Sequence, residues 1–176
     1  MSVRHVFLTG AVQVGKSTLI ERVLQALAPV RVGGFYTVSA PPQPDGSRPV
    51  YLYPADEAVR LASEENCVGL RRAEGIVAYC AAFETAGVAA LAGAQECELL
   101  VMDEIGRMER DAQRYSARIA ELLDGTVPIL GVVQRQADTP LVRAVRTHPR
   151  VKLVEVTPEN RNTLLPQLVQ SLRERE

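Results

Sequence analysis

The sequence contains no tryptophan, and aromatic residues make up only 5% of its 176 residues. Hydrophobic residues still account for 47% of the chain, so its core must be built mainly from aliphatic side chains. Such cores are typical of parallel strands that are buried on both faces. Basic and acidic residues nearly balance, and the formal net charge is −1. This balance provides no large basic surface and gives no support to nucleic-acid binding.

The chain also lacks the apolar runs of about 18 residues that cross membranes, and its N-terminus lacks a signal-peptide pattern. We therefore expect a cytoplasmic protein with no membrane partner. Cys67, Cys80 and Cys97 are odd in number and lack C-x-x-C spacing, which predicts reduced thiols. Because His5 and His148 form no ligand cluster with them, the pattern argues against a redox or metal role for these cysteines.

The segment Gly10–Ser17 matches G-x-x-x-x-G-K-[ST], the phosphate-binding P-loop. The segment His5–Thr9 before it predicts a short strand, and aliphatic residues recur at helical spacing after it. A strand that turns through glycines into a helix directs backbone N–H groups and the helix dipole at one point, which suits phosphates. The alternative is an ordinary glycine turn with a solvated Lys16. The residues predicted to bind nucleotide phosphates are Gly10, Ala11, Val12, Gln13, Val14, Gly15, Lys16, Ser17 and Thr18.

Further strands and helices alternate along the rest of the chain, whereas the segment 54–75 gives no regular pattern. The other predicted strands are 34–39, 50–53, 76–79, 99–102, 127–133 and 151–156. The other predicted helices are 83–94, one that ends at Asp124–Gly125, 140–146 and one that begins near Pro166. The first two of these strands form a hairpin with the proline-rich loop 40–49 as a mobile tip. This order predicts one α/β domain, 1–176, with three layers, a mostly parallel sheet and a β-hairpin insertion.

An acidic pair, Asp103–Glu104, directly follows the apolar run Leu99–Met102. This is the Walker B arrangement, in which a buried strand delivers carboxylates to the sheet edge where ligands bind. Asp103 can hold Mg²⁺ through a water while the Ser17 hydroxyl ligates it directly. Glu104 can orient and deprotonate the attacking water. The alternative makes Asp103 a helix cap and Glu104 a solvated charge.

Two further polar residues and one pair of arginines have two interpretations each. Arg107 can act as an arginine finger in cis, or it can form a salt bridge to Glu109 or Asp111. Gln134 follows the strand 127–133 and can sense the γ-phosphate, or it is an ordinary loop residue. The pair Arg71–Arg72 is either solvated or an anion contact.

Taken together, the motifs resemble one family, the THEP1-type nucleoside-triphosphatases. The matching pieces are the P-loop, Gly34–Thr37, Ala82–Glu84 with Gly87, Asp103–Glu109, Ile129–Gly131 and Val156–Asn162. The resemblance implies a RecA/AAA-like P-loop fold and Mg²⁺-dependent hydrolysis of several nucleoside triphosphates to the diphosphate and phosphate. The chain departs from the family's usual P-loop, G-x-P-G-V-G-K-[ST], because Val12 and Gln13 replace the proline and glycine.

The segment Glu159–Asn162 follows the last strand, where P-loop proteins often hold the base. Asn160 or Arg161 can contact the base, whereas Asn162 is the expected cap of the last helix.

Because the sequence has no [NT]-K-x-D motif, base selectivity is expected to be loose. Two other functions remain open, a nucleotide or small-molecule kinase and a non-catalytic GTP-binding adaptor. A monomer is the expected state.

Overall fold

The computed structural model describes residues 3–174, which form a single sheet with helices on both faces. The strands are β1 (His5–Thr9), β2 (Val32–Ser39), β3 (Arg48–Pro54), β4 (Cys67–Arg72), β5 (Gly75–Ala78), β6 (Leu99–Ile105), β7 (Ile129–Val133) and β8 (Val151–Glu155). The α-helices are α1 (Lys16–Leu27), α2 (Cys80–Ala82), α3 (Val88–Ala90), α4 (Gln113–Asp124), α5 (Pro140–Thr147) and α6 (Arg161–Arg173). A π-helical turn, Phe83–Gly87, joins α2 to α3, and a 3₁₀ turn, Ala94–Glu96, precedes β6.

The strand order is β5-β4-β3-β2-β6-β7-β1-β8. The five strands from β2 to β8 in this order are parallel to one another, and β3, β4 and β5 extend the sheet as antiparallel strands. The predicted α/β P-loop architecture with a mostly parallel sheet is therefore confirmed. Because the strands are parallel, the residues that follow β1, β6 and β7 all reach the same edge of the sheet, where open α/β sheets bind ligands.

The helices bury the two faces of the sheet in separate hydrophobic clusters. On one face, α1 and α6 cover Val6, Leu8 and Val101. On the other face, the helices from α2 to α5 cover Phe7, Phe35 and Met102. The alternation of Val6, Phe7 and Leu8 between faces follows from the two-residue period of a strand. No helix of residues 3–174 has the length and apolar character needed to cross a membrane.

Two element predictions need correction. The segment 54–75 contains β4, so the predicted hairpin of β2 and β3 continues into two more antiparallel strands, β4 and β5. Gly69 weakens the strand pattern of β4, but a Cβ there would lie 2.2 Å from Met108 Cε and 2.6 Å from the Val77 carbonyl oxygen. Close packing therefore requires glycine at this position of the strand, although glycine in a sequence usually indicates a turn.

The last helix also differs, since α6 begins at Arg161 and contains Pro166 internally. Its start is fixed by a reciprocal pair of hydrogen bonds between Thr157 and Asn160. The Thr157 N–H donates to Asn160 Oδ1 at 2.8 Å, and the Asn160 N–H donates to Thr157 Oγ1 at 3.2 Å. Asn160, and not Asn162, therefore occupies the cap position. The expected start near Pro166 is wrong because this turn begins the helix one and a half turns earlier.

Gly34 is the position at which the sheet tolerates a side chain least. Its φ is +95°, and an added Cβ would lie 1.9 Å from the Val101 carbonyl oxygen of the neighbouring strand. We expect Gly34→Ala to lower the free energy of unfolding by about 3 kcal/mol or more, because backbone atoms cannot move aside. Gly46→Ala is the matched control, since its φ is +81° and nothing lies within 4 Å. It should cost only about 1 kcal/mol. Urea unfolding measures both, and equal losses would contradict the packing argument.

Candidate active site

The segment Gly10–Ser17 forms a tight loop between β1 and the first turn of α1. Gly10 has a φ of +141° and Gly15 a φ of +102°, conformations that favour glycine. An added Cβ at Gly10 would lie 2.5 Å from the Val156 carbonyl oxygen. Because α1 begins at Lys16, its unpaired N–H groups open toward this loop, as in phosphate sites at helix N-termini.

Gln13 occupies the loop position at which the family's usual pattern has glycine. Its φ is +60°, the only positive φ of a non-glycine residue in the part of the chain that the structure describes. A left-handed conformation costs an L-residue about 1–2 kcal/mol. The departure from the family pattern is therefore accommodated by strain at Gln13, while its neighbour Val12 keeps an ordinary φ and is 89% exposed.

Lys16 lies against the loop and close to the acidic pair. Its Nζ donates to the carbonyl oxygens of Ala11 at 2.6 Å and Gly10 at 3.1 Å. Burial lowers the pKa of the Lys16 ammonium, and the charges of Glu104 and Asp103 oppose that shift. The ammonium is thus close enough to interact with both carboxylates of the β6 terminus.

Asp103 and Ser17 join the acidic strand to the P-loop. The side chain of Asp103 is buried, and the Ser17 hydroxyl lies close enough to its carboxylate to lower its pKa. Burial raises the pKa of Asp103 to about 6, against the lowering effect of Ser17. A hydroxyl beside a carboxylate offers the hard oxygen ligands that Mg²⁺ prefers. Residues 3–174 contain no cluster of three His, Cys, Asp or Glu ligands, so these two residues fit a metal whose other ligands are phosphates and water.

Glu104 sits at an irregularity at the end of β6. Asp103 pairs with Val132 and Ile105 pairs with Val133, which leaves Glu104 as an extra residue in the ladder. Such bulges re-aim side chains and are frequent beside active sites. The hydroxyl of Thr37 on β2 accepts a hydrogen bond from the Glu104 N–H at 3.1 Å and donates to the Asp103 carbonyl oxygen at 3.3 Å.

The Glu104 carboxylate itself is held by Gln134, which follows β7. Gln134 Nε2 donates to Glu104 Oε1 at 2.6 Å, and the Gln134 N–H donates to the Ile105 carbonyl oxygen at 2.9 Å. Arg146 of α5 donates to the Gln134 carbonyl oxygen at 2.6 Å. The structure therefore brings Gln134 to the acidic pair, and fixes it there from two sides.

A small cavity lies beside Glu104, on the α4 face of the sheet. Its volume is about 30 Å³, which accommodates two water molecules at roughly 10–15 Å³ each. The polar residues that line it are Thr37, Ser39, Arg71, Glu104, Glu109 and Gln134. Val50, Phe83 and Met108 form its apolar wall. Arg71 Nε donates to Ser39 Oγ at 3.2 Å, so Arg71 faces this cavity while its neighbour Arg72 is exposed.

Glu109 is buried at the cavity wall, with 3% of its surface exposed. Its carboxylate accepts a hydrogen bond from the Gly106 N–H. Burial raises the pKa of Glu109 to about 7, and the charge of Glu104 adds to the shift. Arg107 is exposed, and among the described residues it forms no ion pair with Glu109 or Asp111. The salt-bridge alternative for Arg107 is therefore not borne out.

Of the two candidate base contacts at the start of α6, only Arg161 approaches the P-loop among the contacts of the described residues. Arg161 Nη1 donates to the Val14 carbonyl oxygen at 3.4 Å and lies close to Gly15. The amide of Asn160 is already engaged, since Nδ2 donates to the Glu155 carbonyl oxygen at 2.8 Å. Arg161 is thus near the phosphate loop, whereas Asn160 shapes the turn that carries it.

Comparison with known proteins assigns the chain to a family. A family model described as NTPase matches residues 5–169. The chain belongs to this NTPase family. The predicted resemblance and the predicted class of enzyme, a nucleoside-triphosphatase, are thereby confirmed.

Relatives from animals and bacteria cover almost the whole NTPase chain. The cancer-related nucleoside-triphosphatase of Homo sapiens is 35% identical over 189 residues, which cover 94% of this chain and 95% of that protein. The nucleoside-triphosphatase THEP1 of Thermotoga sp. is 26% identical and covers 96% of this chain and 95% of that protein. The fold agrees with two solved structures, THEP1 from Aquifex aeolicus and a human cancer-related nucleoside triphosphatase. Their TM-scores are 0.75 and 0.73, their identities 22% and 30%, and they cover 96% and 98% of this chain and 98% of their own chains.

The sequence alone assigns no role to Thr37 in this NTPase site, and it offers Glu109 only as an alternative salt-bridge partner of Arg107. Thr37 ends the matching piece Gly34–Thr37, and Glu109 ends the matching piece Asp103–Glu109. The only sequence feature that marks them is that each is a polar residue at the end of a matching piece. Their roles depend on contacts between β2, β6 and the turn after β6, which the spacing of residues along the chain does not reveal.

The raised pKa of Glu109 makes stability depend on pH. A carboxyl whose pKa rises from 4.5 to about 7 on folding holds its proton more tightly in the folded state. The stability gained from this tighter proton binding is therefore complete below the pKa of the unfolded state. It is lost as the pH rises through the folded-state pKa of about 7. Glu109→Gln removes this titration, so the wild type should lose about 3 kcal/mol relative to the variant between about pH 4.5 and about pH 8. Urea unfolding across this range tests the sign, and a constant difference would refute it.

Proposed function

We propose that this NTPase hydrolyses nucleoside 5′-triphosphates to the diphosphate and phosphate with Mg²⁺, and that water is the phosphoryl acceptor. The observation that carries the proposal is the Glu104 carboxylate, fixed by Gln134 at 2.6 Å beside a cavity with room for two waters. A positioned carboxylate within hydrogen-bond reach of a water is the arrangement that a general base needs. The names of the relatives, which are nucleoside-triphosphatases, support the same reaction.

The P-loop supplies the phosphate site in this proposal. Backbone N–H groups of the segment Gly10–Thr18 and the dipole of α1 cradle the phosphates. Lys16 turns from the loop carbonyls to the β- and γ-phosphates, where its charge is most useful. Ser17 and Asp103 hold Mg²⁺, which neutralises charge on the phosphate oxygens when it is bound.

Glu104 takes the proton of the attacking water. Gln134 holds one oxygen of the carboxylate, so the other remains available for the water. Arg107 extends from the turn after β6, and we keep it as the candidate cation for the developing charge. Its side chain is exposed and forms no salt bridge among the described residues, so no ion pair has to break for it to turn toward bound phosphates.

The two alternative functions have less support. A kinase transfers the phosphoryl group to a second substrate, whereas the relatives of this chain are named nucleoside-triphosphatases. A non-catalytic GTP-binding adaptor has no need for a carboxylate held as firmly as Glu104.

The free cysteines Cys67, Cys80 and Cys97 agree with a reducing compartment, which supports action in the cytoplasm.

Glu104→Gln should separate catalysis from binding. The amide preserves the size of the side chain and its hydrogen bond from Gln134, but it cannot accept the proton. We expect phosphate release to fall about 10²-fold or more with nearly unchanged nucleotide affinity. Asp103→Ala should instead weaken the dependence on Mg²⁺. Glu121→Gln, an exposed carboxylate paired with Arg118, is the matched control and should leave turnover unchanged. Wild-type turnover in Glu104→Gln would overturn the proposal.

Base selectivity should be loose. Arg161 is the candidate base contact that lies against the P-loop, and a few contacts provide only limited discrimination. Values of kcat/KM for ATP, GTP, CTP and UTP should therefore lie within about 10²-fold of one another. Arg161→Ala should raise KM for all four and leave kcat nearly unchanged. A preference above about 10⁴-fold for one base would show that a specific base site exists.

A further inference from the structure

Glu109 is a buried carboxylate to which the proposed reaction gives no role. It lies five residues beyond Glu104, on the wall of the same cavity. Its carboxylate accepts the N–H of Gly106, the residue through which the chain turns away from β6. A carboxylate is seldom fully buried unless a structural or functional need holds it there. This contact therefore needs an explanation beyond surface charge.

Gly106 links Glu109 to Gln134. An added Cβ at Gly106 would lie 2.1 Å from Gln134 Cδ, so the amide side chain packs directly on the glycine backbone. The Gly106 carbonyl oxygen accepts from Thr139 Oγ1 at 3.4 Å, and the Gln134 N–H donates to Ile105. The peptide that Glu109 holds is thus the surface against which Gln134 rests when it bonds to Glu104.

We propose that Glu109 is a positioning residue: by holding Gly106, it fixes Gln134 and through it the Glu104 carboxylate. This inference rests on the proposed function, in which Glu104 is the general base. Glu109 contacts the backbone of Gly106 and not the reacting atoms. It acts on the reaction through Gly106 and Gln134. Displacement of a catalytic group by about 1 Å can cost about 10²-fold in rate, so a small shift of Gly106 is enough to matter.

The test compares Glu109→Ala, Glu109→Gln and Glu109→Asp by kcat, KM and nucleotide affinity. Alanine removes the acceptor for the Gly106 N–H, so kcat should fall about 10–100-fold while KM and affinity stay within about threefold. Glutamine keeps an acceptor oxygen and should retain kcat within about threefold. Aspartate is shorter by one methylene and should give an intermediate loss. It also keeps the test decisive if the alanine variant does not fold.

Glu84 supplies the matched control. Its carboxylate accepts the N–H groups of Arg114 and Tyr115, each at 3.2 Å, and Glu84 is not among the residues that line the cavity beside Glu104. Glu84→Ala removes a similar carboxylate–backbone contact, and it should lower the melting temperature without lowering kcat. Equal effects of Glu84→Ala and Glu109→Ala on kcat would mean that loss of stability alone explains the result.

A double variant separates this inference from the proposed function. If Glu109 acts through Glu104, Glu109→Ala should lower the residual rate of Glu104→Gln by less than about threefold. If Glu109→Ala lowers the rate of Glu104→Gln by the same factor as it lowers the wild-type rate, the positioning role is overturned. If Glu104→Gln alone keeps the wild-type rate, the proposed function fails. If Glu104→Gln loses activity but folded Glu109→Ala and Glu109→Asp do not, only the positioning role fails.

Discussion

Parallel pairing through β7 joins the two halves of the site at one edge of the sheet. One half is the P-loop after β1, and the other is the acidic end of β6, with β7 between them in the sheet. This pairing brings the Ser17 hydroxyl close to the buried Asp103 carboxylate. The position of the acidic pair relative to the phosphate loop depends on the pairing of β1 and β6 with β7.

At this edge of the sheet, Asp103 and Glu104 receive different environments although they are adjacent. Asp103 stays in the strand ladder and faces the P-loop, where burial raises its pKa. Glu104 lies at the bulge and bonds Gln134 beside a small cavity. A single strand end thus provides one carboxylate suited to a metal and one suited to a water. This division, and not the presence of two acids, is what favours hydrolysis.

Much of this fold could be predicted from the sequence, because buried parallel strands produce apolar runs and glycines mark the P-loop. The strand β4 was not predicted, since Gly69 is required by its contacts with Met108 and β5, which only the folded chain reveals. The start of α6 was missed because the Thr157–Asn160 turn overrides the usual meaning of Pro166. Similarly, the sequence offers Glu109 only as a salt-bridge partner of Arg107, and its burial and its contact with Gly106 are visible only in the folded chain.

The central claim is that the site transfers the γ-phosphoryl group to water. A single turnover of ATP in water enriched in ¹⁸O, with Mg²⁺ and no other acceptor, tests it most directly. Mass spectrometry of the product should show phosphate that carries one solvent oxygen per molecule, with ADP formed in equal amount. Phosphate without solvent oxygen would contradict transfer to water. ADP formed only after a nucleoside or metabolite is added, with the γ-phosphoryl group recovered on that acceptor and no free phosphate, would contradict it equally and would identify a kinase.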